Sequence, residues 1–270
     1  MSTSTLHYRL PGAGRVVSAR IAPPELIPLI DGFYRTYRCA APASGDRAEA
    51  ALCVDRAGGG YRVRVPAGDW EAETAEEAVL YYEYELTDAL LVDARRYVQL
   101  HGAAICGDNR CLWLVGPSGA GKSTLTLGLY TRGWRPLADD ALLVDPTRGA
   151  AAPFDRSIRV HTSGLEALDL DPAAVPGGRQ VGPYLWLEPG PESRESEPRR
   201  PDAILVLDPC GDDRLERLGE SEALRELLIA RLSDAPRRDF ECVARLAAEV
   251  PVHRLSFPGF RHALERLTAL

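Results

Sequence analysis

Residues 116–124 read Gly-Pro-Ser-Gly-Ala-Gly-Lys-Ser-Thr, and this stretch decides the fold. It fits the pattern G-x-x-x-x-G-K-[ST], a glycine-rich loop that joins a strand to a helix and cradles phosphate. Its glycines let the backbone pass close to phosphate oxygens. The helix that begins near Lys122 presents free N–H groups and the positive end of its dipole. The stretch therefore predicts a nucleotide-binding α/β protein.

The side chains of this loop have separate expected tasks. Lys122 would place a compact positive charge on the β- and γ-phosphates, Ser123 would supply a hydroxyl for Mg²⁺, and Thr124 would touch the α-phosphate. Lys122 is also the one lysine among the 32 basic residues of the chain, so it lies where arginine does not serve. The expected nucleotide-binding residues are Gly116, Pro117, Ser118, Gly119, Ala120, Gly121, Lys122, Ser123 and Thr124.

Length, composition and charge exclude several classes of protein. The 270 residues are 45% hydrophobic and 26% charged, which is typical of a globular protein with one large domain or two small ones. The net charge of −7 argues against a nucleic-acid partner, and no apolar run approaches the roughly 18 residues of a membrane span. The N-terminal residues lack a signal-peptide layout, and the six cysteines show neither metal-site nor disulfide-framework spacing. We therefore expect a cytoplasmic protein.

We expect two regions along the chain. Residues 1–73 predict a small N-terminal α/β region, a candidate for substrate recognition, and residues 74–270 predict a core with a linking helix and a helical C-terminal tail. The linking helix is predicted from the capping box Thr74-Ala-Glu-Glu77 to about Arg96.

The core shows strand and helix patterns around the phosphate loop. Residues 97–106 and 110–115 predict an antiparallel hairpin around Gly107-Asp-Asn109, and residues 122–132 predict a helix that Gly133 ends. Residues 188–201 are polar and Pro-rich and predict a mobile surface loop. Further strands are expected at 61–65, 142–144, 158–160, 184–187, 203–207 and 253–257, and further helices at 221–233, 237–249 and 259–269.

An acidic pair follows the phosphate loop. Asp139 and Asp140 lie 17 and 18 residues after Lys122, just before a new strand. An Asp-Asp pair alone is typical of a solvated turn, but behind a phosphate loop it is expected beside the γ-phosphate. One carboxylate could accept the proton of an attacking hydroxyl while the other orients metal or water. His101, on the strand before the loop, is either a core residue or a site residue.

Together these elements resemble a known family. The run His101-Gly, GPSGAGKST and RGWRPLADD (residues 132–140) resembles the kinase core of HPr kinase/phosphorylase, in the branch that accompanies ribosomal (lasso) peptide biosynthesis. The resemblance covers roughly residues 97–145. It implies the mixed-sheet P-loop α/β architecture shared with phosphoenolpyruvate carboxykinase, and an ATP- and Mg²⁺-dependent kinase. By this resemblance Lys122 contacts phosphate, Ser123 binds Mg²⁺ together with Asp139, Asp140 accepts the proton, and His101 lies near the transferred phosphoryl group.

The chain departs from the family pattern at the segment E-I-R-G-L-G, which supplies a second metal ligand and helps to dock the protein substrate. The nearest stretch here is Ser157-Ile-Arg-Val160, and Glu166 is close in spacing but on a predicted helix. The second metal ligand is thus unassigned, and HPr is a doubtful substrate. Arg156 and Arg159 are candidates for neutralising transition-state charge, the alternative being ordinary surface arginines.

The leading hypothesis is a kinase that phosphorylates a hydroxyl, with Ser expected, on a peptide or small protein. Arg179, Arg194, Arg199 and Arg200 could recognise an acidic peptide tail, or belong to a solvated loop. The alternatives are an HPr serine kinase/phosphorylase, another P-loop NTPase, and a non-catalytic nucleotide sensor. The oligomeric state is open, with a homo-oligomer among the candidates.

Overall fold

The computed structural model describes residues 3–42, 47–107, 110–209, 211–233 and 235–269. The chain divides into two compact units, Met1–Arg95 and Arg96–Leu270. The predicted tight turn at 108–109 and Cys210 lie outside the described residues.

The first unit is a five-stranded sheet with one long helix. The strand order is β1-β2-β3-β4-β5, in which β2 and β3 run parallel and the other neighbours run antiparallel. Its elements are β1 (Ser4–Tyr8), β2 (Arg15–Ile21), α1 (Ile27–Ile30), β3 (Arg47–Ala57), β4 (Gly60–Val65), β5 (Gly68–Ala72) and α2 (Ala75–Asp93), with 3₁₀ turns at Pro24–Leu26 and Arg35–Tyr37.

The long helix α2 belongs to this first unit, which moves the domain boundary. Thr74 caps the helix, its side chain accepting a hydrogen bond from the backbone N–H of Glu77, as the capping box predicts. The buried face of α2, which includes Val79, Leu86 and Leu90, packs against the strands of the sheet. The boundary predicted at residue 74 places α2 in the second region. A capping box indicates where a helix begins but not which sheet the helix packs on, so the structure corrects this boundary.

The second unit is a mixed α/β structure built on a six-stranded sheet of order β16-β17-β15-β8-β7-β9. Strands β8, β15 and β17 run parallel to one another, whereas β7 is antiparallel to β8 and β9, and β16 is antiparallel to β17. These strands are β7 (Gly102–Gly107), β8 (Arg110–Val115), β9 (Arg135–Ala138), β15 (Ala203–Asp208), β16 (Arg214–Arg217) and β17 (Val252–Ser256).

The described part of the second unit also contains two small sheets and five helices. One sheet has the order β11-β10-β6 and the other β12-β14-β13. Their strands are β6 (Val98–Leu100), β10 (Leu142–Val144), β11 (Ala151–Ala152), β12 (Ile158–His161), β13 (Gly178–Val181) and β14 (Tyr184–Leu187). The helices are α3 (Lys122–Tyr130), α4 (Thr162–Leu168), α5 (Glu220–Ile229), α6 (Pro236–Glu249) and α7 (Phe260–Ala269), with 3₁₀ turns at Pro172–Ala174 and Pro191–Ser193.

The C-terminal part is not simply a helical tail. Strands β16 and β17 lie within it and extend the main sheet, while α7 packs beside α3 on one face of that sheet. Leu125 and Leu129 of α3 and Leu264 and Leu267 of α7 share a buried core with Leu205 of β15. Alternate residues of the two strands, Leu112 and Leu114 of β8 and Leu205 and Leu207 of β15, belong to this core and therefore position the helix that follows the predicted phosphate loop.

The strand predicted over residues 97–106 is in fact two strands in two different sheets. Strand β6 pairs with β10, β7 pairs with β8 and β9, and His101 lies at the break between them. The backbone N–H of His101 donates to the carbonyl of Ala230, 2.6 Å away, instead of continuing a ladder. A run of apolar residues cannot reveal such a break, because both halves are equally compatible with a strand.

Residues 188–201 are docked on the second unit, which corrects the prediction of a free surface loop. Glu195 is buried, its carboxylate accepts from Arg135 at 3.1 Å, and its backbone N–H donates to Pro136 at 3.0 Å. Arg199 exchanges two backbone hydrogen bonds with Ala151. Polar composition suggested a solvated loop, but here the charged groups pair within the chain.

None of the helices in the described part of the chain combines the length and the apolar character that a membrane span requires.

Candidate active site

The candidate site forms at one edge of the main sheet. The carboxyl ends of the parallel strands β8 and β15 meet there, and β7, antiparallel to β8, begins at the same edge, since Gly102 pairs with Val115. Strand β9 is antiparallel to β7, so it also ends there, with Ala138 opposite Ala104. The residues that precede β7 and follow β8 and β9 are therefore brought together although they are up to 39 positions apart.

The loop between β8 and α3 has the conformation that its glycines permit. Gly116, Gly119 and Gly121 have backbone φ values of 147°, 81° and 91°, which residues with a Cβ rarely adopt. Lys122 begins α3 and is buried, and its Nζ donates to the carbonyls of Gly116 and Pro117, both at 2.9 Å. Burial lowers the pKa of Lys122, and the nearby Asp139 partly opposes this shift.

Ser123 and Asp139 face each other across the site. The Oγ of Ser123 donates to Oδ2 of Asp139 at 2.8 Å. Asp139 is only 3% exposed, and its Oδ1 has no hydrogen-bond partner among the described residues. Burial raises the pKa of Asp139, although the hydrogen bond from Ser123 and the charges of Arg156 and Lys122 favour its ionised form.

Asp140 has a left-handed backbone conformation, with φ of 66°. Its side chain is 41% exposed and forms an ion pair with Arg156, whose side chain is 5% exposed. The Nδ1 of His101 lies 3.2 Å from Oδ1 of Asp140 and 3.1 Å from its backbone carbonyl. Burial and the charge of Lys122 lower the pKa of His101, which favours the neutral imidazole at pH 7. Arg156 and His101 thus hold Asp140 from two sides.

Arg159 lies on β12 at the same side of the site. Its guanidinium carbon is 5.4 Å from the ring centroids of Tyr184 and of Trp186, which hold the side chain by cation–π contacts. The charge of Arg159 partly opposes the burial that raises the pKa of Asp139. Arg159 therefore lies within electrostatic range of that carboxylate. Both arginines proposed for transition-state charge therefore lie near the acidic pair rather than on a remote surface.

The structure brings the predicted site residues together at this edge. His101, Lys122, Ser123, Asp139 and Asp140 come from three separate stretches of chain and meet within hydrogen-bond or electrostatic range. The hydroxyl of Thr124 points towards α4, since a Cβ on Gly164 would lie 2.8 Å from it. Glu166 is exposed on α4, and the second metal ligand stays unassigned.

Oxygen ligands for Mg²⁺ are present in this arrangement. The unpartnered Oδ1 of buried Asp139 and the hydroxyl of Ser123 are hard donors on adjacent side chains. Mg²⁺ ordinarily binds through one or two carboxylates together with water and substrate phosphates. The residues present therefore fit a Mg²⁺–nucleotide complex.

Two contacts of this region are not predicted from the sequence. The ring of Phe260, at the start of α7, lies against Gly121 so closely that a Cβ there would be 2.1 Å from the ring. Arg194 forms an ion pair with Asp155 and lies, with Asp139 and Arg156, around a narrow gap in the packing that is too small for a water molecule. No local pattern indicates either contact, because each one joins residues more than 30 positions apart.

The four arginines considered for an acidic peptide tail have carboxylate partners in the chain itself. Each one forms an ion pair within the second unit, which fits the alternative that they serve the fold. The pairs are Arg179 with Glu188, Arg194 with Asp155, Arg199 with Glu195, and Arg200 with Glu249.

Comparison with known proteins gives a local similarity. No family model matches the chain. A segment of 62 residues is 40% identical to the HPr kinase/phosphorylase of Prosthecochloris aestuarii; it is 23% of this chain and spans 18% of that protein. Among solved structures, the Hpr(Ser) kinase/phosphatase from Coxiella burnetii covers 63% of this chain and 95% of its own, with 14% identity and a TM-score of 0.32. Part of this mixed α/β chain is therefore similar in sequence to the HPr kinase/phosphorylases.

Proposed function

We propose that this protein is an ATP- and Mg²⁺-dependent kinase that transfers the γ-phosphoryl group of ATP to a serine hydroxyl of a peptide or small protein. The observation that carries the proposal is the meeting of Lys122, Ser123 and the acidic pair at one sheet edge. The sequence similarity to HPr kinase/phosphorylase supports the same reaction class.

In this proposal the chain's own residues divide the work. The phosphate loop and Lys122 hold the triphosphate through backbone N–H groups and the ammonium. Mg²⁺ held by Ser123 and Asp139 would neutralise phosphate charge. Asp140 accepts the proton of the acceptor hydroxyl while the oxygen of that hydroxyl bonds to the γ-phosphorus. The bond between the γ-phosphorus and the bridging β-phosphate oxygen breaks, which releases ADP.

Arg156 and His101 have supporting roles in the same proposal. Their contacts with Asp140 fix the orientation of its carboxylate. A base that contacts the acceptor hydroxyl needs a fixed orientation so that the hydroxyl oxygen attacks in line. The buried charge of Arg156 also stabilises negative charge that develops on the transferred group. A neutral His101 can hold Asp140 without adding a second positive charge.

Two acceptor classes follow from the residues. The similarity to HPr kinase/phosphorylase favours HPr itself, whereas Ser157, in the place of the expected Glu, favours a different acceptor, such as a ribosomally made precursor peptide of the lasso type. Residues 1–73, a candidate for substrate recognition, would contribute to that choice.

The test is intact-mass spectrometry of HPr and of peptides that end in Ser, each incubated with the protein, ATP and Mg²⁺. We expect a gain of about 80 Da, one phosphoryl group, in one acceptor class. Asp140→Asn should lower the transfer rate at least ~10²-fold because the base is lost. Asp169→Asn is the matched control, since Asp169 is exposed and also has positive φ, 58°.

Other outcomes would replace this proposal. ATP consumption with no mass gain in any acceptor would indicate a plain NTPase. ATP binding without consumption would indicate a nucleotide sensor, and a mass gain that persists in Asp140→Asn would remove Asp140 from the role of base.

A further inference from the structure

Two cysteines face each other on the hairpin that leads into the phosphate loop. The register of β7 and β8 places Cys106 directly opposite Cys111. Both side chains are buried, at 3% and 0% exposure, and they lie on the sheet face opposite to that of Ile105 and Leu112, which belong to the core under α3. The pair takes no part in the proposed kinase reaction.

The backbone shows which kind of cross-strand pair this is. The N–H of Cys111 donates to the carboxylate of Asp202 at 2.7 Å, and its carbonyl accepts from the N–H of Asp202 at 2.8 Å. Both backbone groups of Cys111 thus point away from β7. Cys106 and Cys111 therefore form a non-hydrogen-bonded antiparallel pair, in which the Cα atoms are typically about 4.5 Å apart and the side chains are closest.

This spacing suits a disulfide. Disulfides bridge Cα atoms that are about 4.4–6.8 Å apart, with Cβ vectors that point to the same side. The two thiols lie within hydrogen-bonding reach of each other. Closing an S–S bond therefore needs little movement of either strand.

We propose that Cys106 and Cys111 form an oxidisable dithiol, which a hydroperoxide converts to an intrachain disulfide. In the first step the sulfur of Cys106 attacks one oxygen of hydrogen peroxide, and the O–O bond breaks. The expelled hydroxide takes the thiol proton of Cys106, which leaves a sulfenic acid and one water. In the second step the sulfur of Cys111 attacks the sulfur of Cys106, and the expelled hydroxide takes the thiol proton of Cys111 as a second water. Two thiols are oxidised and one peroxide is reduced.

The order of the two sulfurs follows from their surroundings. The neighbouring thiol of Cys106 and burial both raise the pKa of Cys111 above its ordinary value. Cys106 is 3% exposed whereas Cys111 is 0% exposed, so Cys106 is the sulfur that a small peroxide reaches first. A small hydroperoxide suits this buried pair better than a bulky disulfide reagent would.

The test uses the full chain, before and after treatment with hydrogen peroxide. Denatured protein is labelled with a thiol reagent, and a non-reduced digest is examined by tandem mass spectrometry. The chain has six cysteines, so reduced protein should take up six labels and oxidised protein two fewer. We expect one cross-linked peptide pair joining Cys106 to Cys111, a mass lower by about 2 Da for two lost hydrogens, and reversal by dithiothreitol.

Variants separate this pair from the other cysteines. Cys106→Ser and Cys111→Ser should abolish the cross-link, whereas Cys242→Ser, at a buried cysteine of α6, should leave it intact. Unchanged labelling of the wild-type protein, a cross-link that maps to another pair, or sulfinic acid at Cys106 beside a free Cys111 would each overturn the proposal. The digest of the wild-type chain decides the outcome even where a variant fails to fold.

Discussion

At the scale of single residues, the site depends on one cation that is held inside a loop. Lys122 is buried and its ammonium contacts two loop carbonyls, so the space around it is matched to a compact head group. A guanidinium is planar, larger and differently hydrated. All the other residues among the 32 lysines and arginines of the chain are arginine, so charge alone does not explain the lysine at position 122.

Lys122→Arg should therefore raise the Kd for Mg²⁺–ATP at least ~10-fold although the charge is kept, since the larger fork does not fit the loop. Isothermal titration of the full chain measures this directly. Arg132→Lys, just beyond the end of the same helix and exposed, is the matched control and should leave the Kd unchanged. Equal affinities for the wild type and Lys122→Arg would contradict the assignment of Lys122.

At the scale of elements, the phosphate loop is held by the C-terminal helix α7. Gly121 combines a left-handed φ with direct contact from the ring of Phe260. Gly119 has a similar φ, but among the described residues no atom beyond its two chain neighbours lies within 4 Å of the place of its Cβ. The two glycines therefore separate the cost of backbone strain from the cost of lost space.

Gly121→Ala should lower the free energy of unfolding by about 2–4 kcal/mol, the sum of strain and overpacking, and Gly119→Ala by about 1 kcal/mol from strain alone. In a Phe260→Ala background the additional cost of Gly121→Ala should shrink towards that of Gly119→Ala, because the clash is gone. Urea denaturation of the four variants measures the coupling. Additive costs would show that Phe260 does not restrict the loop.

The segment 188–201 behaves as an element although it has little regular structure. Buried Glu195 joins it to Arg135 and Arg199 and accepts from the backbone N–H groups of Ser196 and Glu197. Glu195→Gln should destabilise the protein by about 1–3 kcal/mol, since it removes the charge that these donors face. Glu197→Gln, exposed in the same segment, should change stability by less than about 0.5 kcal/mol. Similar thermal midpoints for both variants would indicate a solvated loop after all.

At the scale of the whole molecule, all the residues of the candidate site lie in the second compact unit. Helices α3 and α7 and the six-stranded sheet that hold them are also part of residues 96–270. The first unit has its own sheet, and α2 covers that sheet. The proposed nucleotide binding and the proposed recognition by the first unit can therefore be tested separately.

A chain of residues 96–270 should bind Mg²⁺–ATP with a Kd within about threefold of the full chain, because all the residues of the candidate site belong to the second unit. Isothermal titration gives the Kd, and circular dichroism establishes that the shortened chain is folded. A folded fragment that has lost ATP binding would show that the first unit contributes to the site.

Local patterns predict much of this architecture. The phosphate loop, β8, α3 and the Thr74 cap follow from glycine placement, hydrophobic periodicity and capping, which act within a few residues. The split between β6 and β7 does not, because it depends on pairing with β10 and on the carbonyl of Ala230, far along the chain. Strands β9 and β16 were likewise missed, as sheet edges whose partners are distant in sequence.

The sequence by itself determined the glycine-rich loop before α3 and the candidate acids, since Lys122, Ser123, Asp139 and Asp140 are specified by residue type and spacing. Only the tertiary structure decided which carboxylate meets Ser123, that Arg156 and His101 hold the other, that Phe260 closes on Gly121, and that Cys106 meets Cys111. The physical reason is that these contacts join strands and helices through long-range pairing and burial, whose free energy depends on the assembled sheet and not on any local stretch of chain.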